Sequence, residues 1–269
     1  MTPKTYRGIA SFAPILACLL FAEVASAGGF SALVSPPHFE ASVKPGTTYR
    51  NAVEIDNVSP TSTHYNFKTN DWALKSDGSV VFSDELTPGS CRPWVSIEAP
   101  DITMGPNGKR HFRFEIAVPA DAPSFECRFA IMIEGDPETV KGAVNMPVSG
   151  RIGVVVYLDI GDAVAKLEIT DYKVKSVNGH LLPVLSVRNS GTAHGRLQGI
   201  INGKDASGHK YAFDPNTFPV MAGETREIEL TPQGDNDKAP MPTIVYPLHL
   251  KGRLDWQAQH LSIDTTFTK

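Results

Sequence analysis

Residues 110–118 read R-H-F-R-F-E-I-A-V, and Pro119 follows them directly. Every second side chain is apolar from Phe112 to Val118, while most of the side chains between them are polar. Alternation with a period of two predicts a β-strand that buries one face. Proline cannot donate a hydrogen bond to a neighbouring strand, so we expect this strand to end at Pro119.

The same alternation recurs along both halves of the chain. It predicts about seven short strands before Gly161, separated by turn residues at the spacing of an immunoglobulin-like sandwich. The last of them is predicted to be long, because apolar residues occupy even positions from Val144 to Ile160. After Gly161 a second set begins, in which Asn178-Gly179 predicts a tight hairpin. We therefore predict an all-β chain of two tandem immunoglobulin-like β-sandwich domains.

For the second set we expect strands at residues 166–175, 181–188, 196–202, 224–230, 243–250 and 261–268. The boundary between the domains is placed near Gly161-Asp162, where the apolar even-numbered positions stop. The predicted organisation is a signal peptide at residues 1–27, a first domain at 28–161 and a second domain at 162–269.

The composition narrows the class of protein. The 269 residues carry a formal charge of −4 and are 41% hydrophobic, which favours a globular chain and disfavours nucleic acid as a partner. The 22 glycines and 21 prolines recur at short intervals and leave little room for long helices.

The first segment has the features of an export signal. Lys4 and Arg7 precede a mostly apolar run, and Ala25-Ser26-Ala27 fits a cleavage site. An alternative is a lipoprotein signal that ends at Cys18. We expect cleavage near Ala27 and no later membrane-spanning segment, because no later apolar run approaches the ~18–20 residues that a spanning helix needs.

Cys91 and Cys127 are the two cysteines that remain after such cleavage. An even pair in an exported protein predicts a disulfide, here between the segment before Trp94 and a strand near Phe125. Neither cysteine belongs to a C-x-x-C pair, and neither has a second Cys or a His at the spacing of a zinc site. We expect no metal site, no cofactor and no enzymatic activity, since the sequence also lacks G-x-S-x-G, Walker and G-x-G-x-x-G motifs.

A series of short segments spans nearly the whole exported chain in a characteristic order. In that order and spacing the segments resemble the PapD-like family of periplasmic pilus-assembly chaperones. They are residues 34–37 (V-S-P-P), 53–57 (V-E-I-D-N), 65–67 (Y-N-F), 71–72 (D-W), 94–97 (W-V-S-I), 112–119, 125–133, 151–160, 187–191 (V-R-N-S-G) and 223–226 (G-E-T-R).

The resemblance implies that the chain binds pilin-like subunits in the periplasm, together with an outer-membrane usher. In that family the last strand of the first domain is donated to an incomplete pilin. The matching residues are Val144, Met146 and Val148, which follow a flexible lead-in at residues 134–142. The alternative is that these three side chains pack in the core of their own domain.

A basic pair in the family also holds the carboxyl terminus of the subunit. The positions that correspond here are Arg151 on the last strand and His38 on the first strand. Arg151 lies on the opposite face from Met146 and Val148, and we expect it to face the cleft between the domains. An alternative role for Arg151 is a surface or interdomain salt bridge.

Two functions of different kinds are thus predicted from the sequence. The first is a periplasmic chaperone that binds pilin-like subunits by strand donation. The second is an exported structural or adhesive surface module that uses the same two sandwiches without chaperone activity.

Overall fold

The computed structural model describes residues 30–87, 90–140, 146–234 and 240–269. These residues form 19 β-strands and one 3₁₀ turn, and no α-helix occurs among them, which confirms the all-β prediction. No helix in the described part of the chain is long and apolar enough to cross a membrane. The predicted signal peptide at residues 1–27 lies outside the described residues.

The first half of the chain folds into two facing sheets. One has the strand order β1-β3-β8-β6, and the other has the order β2-β12-β9-β4-β5 with β7 beside β4. The strands are β1 (Ala32–Ser35), β2 (His38–Val43), β3 (Thr48–Asn57), β4 (Thr63–Leu74), β5 (Val80–Ser83), β6 (Val95–Ile97), β7 (Asp101–Met104), β8 (Lys109–Ala117), β9 (Glu126–Gly135), β10 (Glu138–Val140), β11 (Met146–Val148) and β12 (Arg151–Ile160).

Strand β8 shows why the alternating pattern produces this sandwich. Phe112, Phe114 and Ile116 are buried between the sheets, whereas the side chains between them face outward or lie at the edge. The Phe67 ring from the opposite sheet stacks on Phe112 with 3.8 Å between ring centroids. Burial of one face is what holds the register, because a slip of one residue would expose the whole apolar row.

A disulfide joins two segments of the first half, and they are the two that the sequence predicts to be linked. Cys91 precedes the 3₁₀ turn at Arg92–Trp94, and Cys127 lies in β9. Their Cα atoms are 5.8 Å apart and both residues are buried in the core. The predicted Cys91–Cys127 bond is therefore confirmed.

The second half forms a continuous seven-stranded sheet that wraps around its own core, in the order β13-β14-β17-β16-β15-β18-β19. Asn178 and Gly179 have φ values of 50° and 83° and join β13 to β14, which confirms the predicted hairpin. The strands are β13 (Leu167–Val177), β14 (His180–Asn189), β15 (Ile201–Lys204), β16 (Lys210–Pro215), β17 (Thr225–Pro232), β18 (Leu248–Trp256) and β19 (Gln259–Phe267).

Three expectations for the second half were wrong. The strand expected over residues 243–250 begins only at Leu248, because Val245 is hydrogen-bonded to the turn at Asp205 and Ala206 instead. A strand was expected over residues 196–202, but only Ile201–Lys204 is regular, because the segment before it is drawn against the first half of the molecule. Strand β16 was missed, and its run K-Y-A-F-D-P alternates only weakly. No sheet in the described structure crosses from one half to the other. The boundary near Gly161 stays a proposal.

The last strand of the first half also differs from its prediction. It was expected to run unbroken from Val144 to Ile160, but it is divided by Ser149 and Gly150 into β11 and β12. A Cβ at Gly150 would overlap the ring of Phe30, so this position requires glycine. The predicted flexible lead-in at residues 134–142 instead contains β10, which pairs with β11 as a hairpin.

Candidate functional site

The β10–β11 hairpin presents two apolar side chains at the surface. Met146 is 60% exposed and Val148 is 49% exposed, and they share one side of β11 because Pro147 separates them. They are not part of the domain core, in contrast to the even-numbered residues of β12. Val144, the third predicted member of this row, lies outside the described residues.

Strand β12 leaves part of one edge unpaired. On one side it pairs with β9 along most of its length, and on the other side β2 covers it only from Val155 onward. No described strand pairs with the remaining edge at residues 151–154. We call this segment, together with the preceding β11, the open edge.

Backbone groups of the open edge point outward in a regular order. The Gly135 amide donates to the Gly150 carbonyl at 3.0 Å, so Gly150 faces β9. Because hydrogen-bonding directions alternate along an antiparallel strand, the amides and carbonyls of Arg151 and Gly153 face away from β9. The nine residues from Met146 to Val154 span about 30 Å if extended, which suits one added strand.

Arg151 lies at the start of β12, opposite Glu134, and its side chain is exposed. It makes no ion pair with a described residue. Tyr157 and Asp159 point to the same face of β12 as Arg151, but they lie six and eight residues further along the strand. Arg151 therefore lies at the far end of β12 from the cluster of charges between the two halves.

His38 is placed apart from Arg151. It lies opposite Val155 in the parallel register of β2 and β12, four positions and about 13 Å along the strand from Arg151. Its Nε2 is 3.8 Å from Oε1 of Glu40, and both side chains are exposed. The structure does not bring His38 and Arg151 together into one anchor.

A different group of charged residues meets between the two halves. Two cationic side chains come from the segment between β14 and β15, and the acidic ones come from the first half. This cleft cluster consists of Glu40, Glu126, Tyr157, Asp159, His194 and Arg196, and it borders a cavity of about 140 Å³.

His194 and Glu126 form the centre of the cleft cluster. The Nδ1 atom of His194 makes a short hydrogen bond to Oε2 of Glu126, and the His194 amide donates to the same oxygen at 2.9 Å. The two side chains are only 10% and 3% exposed. Burial by itself lowers the pKa of His194, but the hydrogen bonds to Glu126 and Glu40 outweigh it and raise the pKa to about 9. His194 is therefore cationic at neutral pH.

The remaining members of the cleft cluster are also coupled. The hydrogen bond from His194 lowers the pKa of Glu40 to about 2. Burial, reinforced by the negative charge of Glu126, raises the pKa of Asp159 to about 6. Arg196 lies 3.5 Å from Glu40 through its Nε atom, and its guanidinium stands 5.6 Å from the Tyr157 ring centroid. Both cations of the cluster are thus already paired.

A second contact fixes the two halves to each other. The buried Arg226 side chain of β17 donates to the Lys75 carbonyl at 3.0 Å, just after β4, and its Nη2 is 2.8 Å from Glu224. Nearby, a Cβ at Gly78 would overlap the Phe218 ring.

Sequence reasoning missed this interface. His194 and Arg196 occur in the run T-A-H-G-R, and no spacing rule connects that run to Glu126 or Glu40. Among the described residues no group of three or more His, Cys, Asp or Glu side chains is arranged to hold a metal ion.

Comparisons with known proteins give structural likeness without sequence likeness. No protein-family model matches the chain, and no curated protein matches it significantly. The chain is similar to the class 5 fimbriae chaperone CfaA, with 11% identity over 87% of this chain and 99% of that one, at a TM-score of 0.47.

Two further similar structures are complexes. A chain of the CsuC–CsuE chaperone–tip subunit complex from Acinetobacter baumannii shows 13% identity over 89% of this chain and 100% of its own length, at a TM-score of 0.45. A chain of the Salmonella enterica SafA pilin–SafB chaperone complex shows 11% identity over 88% and 97%, at a TM-score of 0.45.

Proposed function

We propose that this protein is a periplasmic chaperone of pilus or fimbria assembly that binds pilin-like subunits by β-strand donation. The observation that carries the proposal is the open edge, where unpaired backbone groups of β12 directly follow the exposed side chains of Met146 and Val148. The partner class is taken from the sequence resemblance. It is also the class named in the chaperone complexes above, but their similarity to this chain is not the basis of the proposal.

The open edge has the two properties that strand addition needs. The outward-facing amides and carbonyls can form main-chain hydrogen bonds with any sequence. Specificity comes from alternate side chains, which fill pockets of the partner. Unprotected strand edges promote aggregation, so an edge that is left open in a folded domain favours a dedicated partner. Each aliphatic side chain buried in a subunit groove would contribute about 1.5–3 kcal/mol.

Arg151 supports binding at the same place. Its guanidinium is exposed at the beginning of β12, next to the open edge, and it makes no ion pair with a described residue. We propose that it contacts a carboxylate of the bound subunit. His38 is a weaker candidate for this role, because the carboxylate of Glu40 already lies beside its ring.

The remaining parts of the proposal follow from the resemblance. Strand donation needs neither a cofactor nor a reaction, and an usher in the outer membrane would receive the subunit. Export through the segment at residues 1–27 would place the chain in the periplasm.

The alternative function is an exported structural or adhesive module. The ion pairs within the cleft cluster favour this alternative. His194 and Arg196 are already paired with carboxylates and are not free to capture the carboxyl terminus of a subunit.

Co-purification tests the proposal. The tagged protein is expressed in its own host and isolated from a periplasmic extract, and bound proteins are identified by mass spectrometry. We expect pilin-like subunits to be retained by the wild type and lost from Met146→Asp. Ile200→Asp, at a position of similar exposure in the second half, is the matched control. Equal retention by all three proteins would favour the surface-module alternative.

A further inference from the structure

Two glycines lie side by side where the β10–β11 hairpin joins the first sandwich. Gly135 is the last residue of β9, and Gly150 directly precedes β12. The Gly135 amide donates to the Gly150 carbonyl at 3.0 Å. We call this glycine pair the hairpin base. Neither residue has a side chain, so the hairpin base has no side-chain packing of its own.

The side chain of Phe30 fills the space that the two missing side chains leave. A Cβ added to Gly135 would lie 2.6 Å from Cδ2 of Phe30, and a Cβ added to Gly150 would lie 2.4 Å from Cβ of Phe30. Phe30 is half-buried and packs edge-on against the buried Tyr65 ring, with 5.8 Å between the ring centroids. An aromatic ring over strand glycines restores packing that these positions otherwise lack. Phe30 therefore supports the hairpin base from its inner face.

Polar contacts hold the chain on the outer face at the same place. Nδ1 of His64 is 3.0 Å from both carboxylate oxygens of Asp136, and the Asn66 side-chain amide donates to Oδ1 of Asp136 at 3.0 Å. Asp136 directly follows Gly135, and His64 and Asn66 flank Tyr65 in β4. Alternation directs His64 and Asn66 to the face opposite the Tyr65 ring. The chain is thus held on both faces just before it enters the hairpin.

We propose that Phe30 is a positioning residue, which keeps the β10–β11 hairpin and its exposed side chains of Met146 and Val148 in one orientation for subunit binding. This role rests on the proposed function, because the orientation of the open edge matters only if a partner strand is added there. Without the ring, the two glycines would have a wide range of φ and ψ values. A mobile hairpin must be ordered again when the subunit binds, and that ordering lowers the affinity.

Hydrogen exchange at the Gly135 amide tests the contact without any subunit. In Phe30→Ala we expect this amide to exchange at least tenfold faster than in the wild type. The Ile160 amide, hydrogen-bonded at the other end of the β9–β12 pair, is the internal reference and should change less than twofold. Equal acceleration at both amides would mean a general loss of stability and would overturn the proposal, as would an unchanged rate at Gly135.

A matched control removes a second phenylalanine ring that lies over a glycine. A Cβ added to Gly78 would overlap the ring of Phe218, far from the hairpin base. Phe218→Ala should therefore leave the exchange rate of the Gly135 amide unchanged. An acceleration as large as that in Phe30→Ala would overturn the proposal, because the effect would then not depend on the ring at the hairpin base.

Alanine substitutions at the two glycines separate the Phe30 ring from its Cβ. Neither glycine has a left-handed φ, so space alone decides whether alanine fits. Gly135→Ala should lower the thermal midpoint of the wild type but have little effect in Phe30→Ala, where the remaining Cβ would be 3.4 Å away. Gly150→Ala should be destabilising in both backgrounds, because Phe30→Ala keeps the Cβ that lies 2.4 Å away. An equal effect of Gly135→Ala in both backgrounds would overturn the proposal.

Subunit retention tests the functional part. In the co-purification described above, Phe30→Ala should retain at least fivefold less pilin-like subunit than the wild type. Phe30→Leu keeps part of the apolar bulk and should fall between them, which keeps the test valid if Phe30→Ala folds poorly. Full retention by a Phe30→Ala protein with fast Gly135 exchange would overturn the positioning role and leave the proposed function intact. Absence of subunit from the wild type would contradict the proposed function, while the exchange rates would still decide whether Phe30 holds the hairpin.

Discussion

The carboxylate of Glu126 in β9 and the imidazole of His194, in the segment after β14, form a buried hydrogen-bonded ion pair across the two halves of the molecule. A backbone hydrogen bond also joins the two halves here, because the Glu126 amide donates to the Thr192 carbonyl at 2.9 Å. Removing either partner would leave the other charge buried and unpaired, which is the costly way to disrupt such a pair.

The His194 pair predicts a loss of stability at alkaline pH. The pKa of His194 in the folded protein is raised above its ordinary value of 6.5, so its stabilising contribution is complete below about pH 6.5. That contribution is lost as the pH rises through about 9 and amounts to roughly 2–3 kcal/mol. Urea denaturation from pH 6 to 10 measures it. His194→Gln should be less stable at pH 7 and should show a flatter pH dependence, and parallel curves for the two proteins would contradict the assignment.

Substitution of Met146 by Asp should abolish subunit binding without unfolding the protein. The change removes an apolar contact and places a charge where the subunit groove would desolvate it, so several kcal/mol of binding free energy should be lost. Calorimetry with a purified subunit measures the affinity. The thermal midpoint should stay within a few degrees of wild type because the side chain is exposed. A strongly lowered midpoint would show that Met146 supports the fold.

Arg151→Ala should weaken subunit binding by about 1.5–3 kcal/mol, the range of a charge-assisted hydrogen bond. His38→Ala should have a smaller effect, because Glu40 already lies beside the imidazole. The two affinities are compared at one salt concentration. A larger loss of affinity with His38→Ala would instead assign the carboxylate contact to His38 in β2.

Loss of the disulfide should lower the stability of the first half. Cys91 and Cys127 are 36 residues apart in sequence, and closing such a loop contributes about 3–4 kcal/mol in the chain-entropy model. The double variant Cys91→Ala/Cys127→Ala should show this decrease in urea. Addition of a reductant should destabilise the wild type but leave the double variant unchanged, and a response of both would point to another cause.

The proposed boundary near Gly161 predicts that residues 28–161 and 162–269 fold separately. Each half has its own cluster of buried apolar residues, from Phe39 to Ile160 and from Ala165 to Phe267. Both fragments should give dispersed NMR spectra and cooperative unfolding. Each should unfold at a lower temperature than the whole chain, because contacts such as those of Arg226 are lost. A fragment without cooperative unfolding would disprove the boundary.

Local patterns were sufficient for several features of the fold. Alternation identified β8 and the buried face of β12, and Asn178-Gly179 identified a hairpin, because side-chain direction and turn geometry depend on neighbouring residues alone. The disulfide was predictable because the expected cleavage near Ala27 would leave two cysteines and therefore a single pairing. Strand β16 was missed because its run K-Y-A-F-D-P alternates only weakly, and the division at Ser149-Gly150 was missed because apolar residues keep the same parity on both sides of it.

For the candidate site, local alternation predicts an apolar row that contains Met146 and Val148 and puts Arg151 at an odd-numbered position outside that row. Packing between separate strands exposes Met146 and Val148, leaves the edge at residues 151–154 without a described partner strand, and puts His38 four positions from Arg151 along β12. It also decided that His194 meets Glu126, 68 residues away in sequence. A strand pattern specifies which way a side chain points, whereas its neighbours depend on how separate sheets and domains pack, and that packing is set by contacts that no local period encodes.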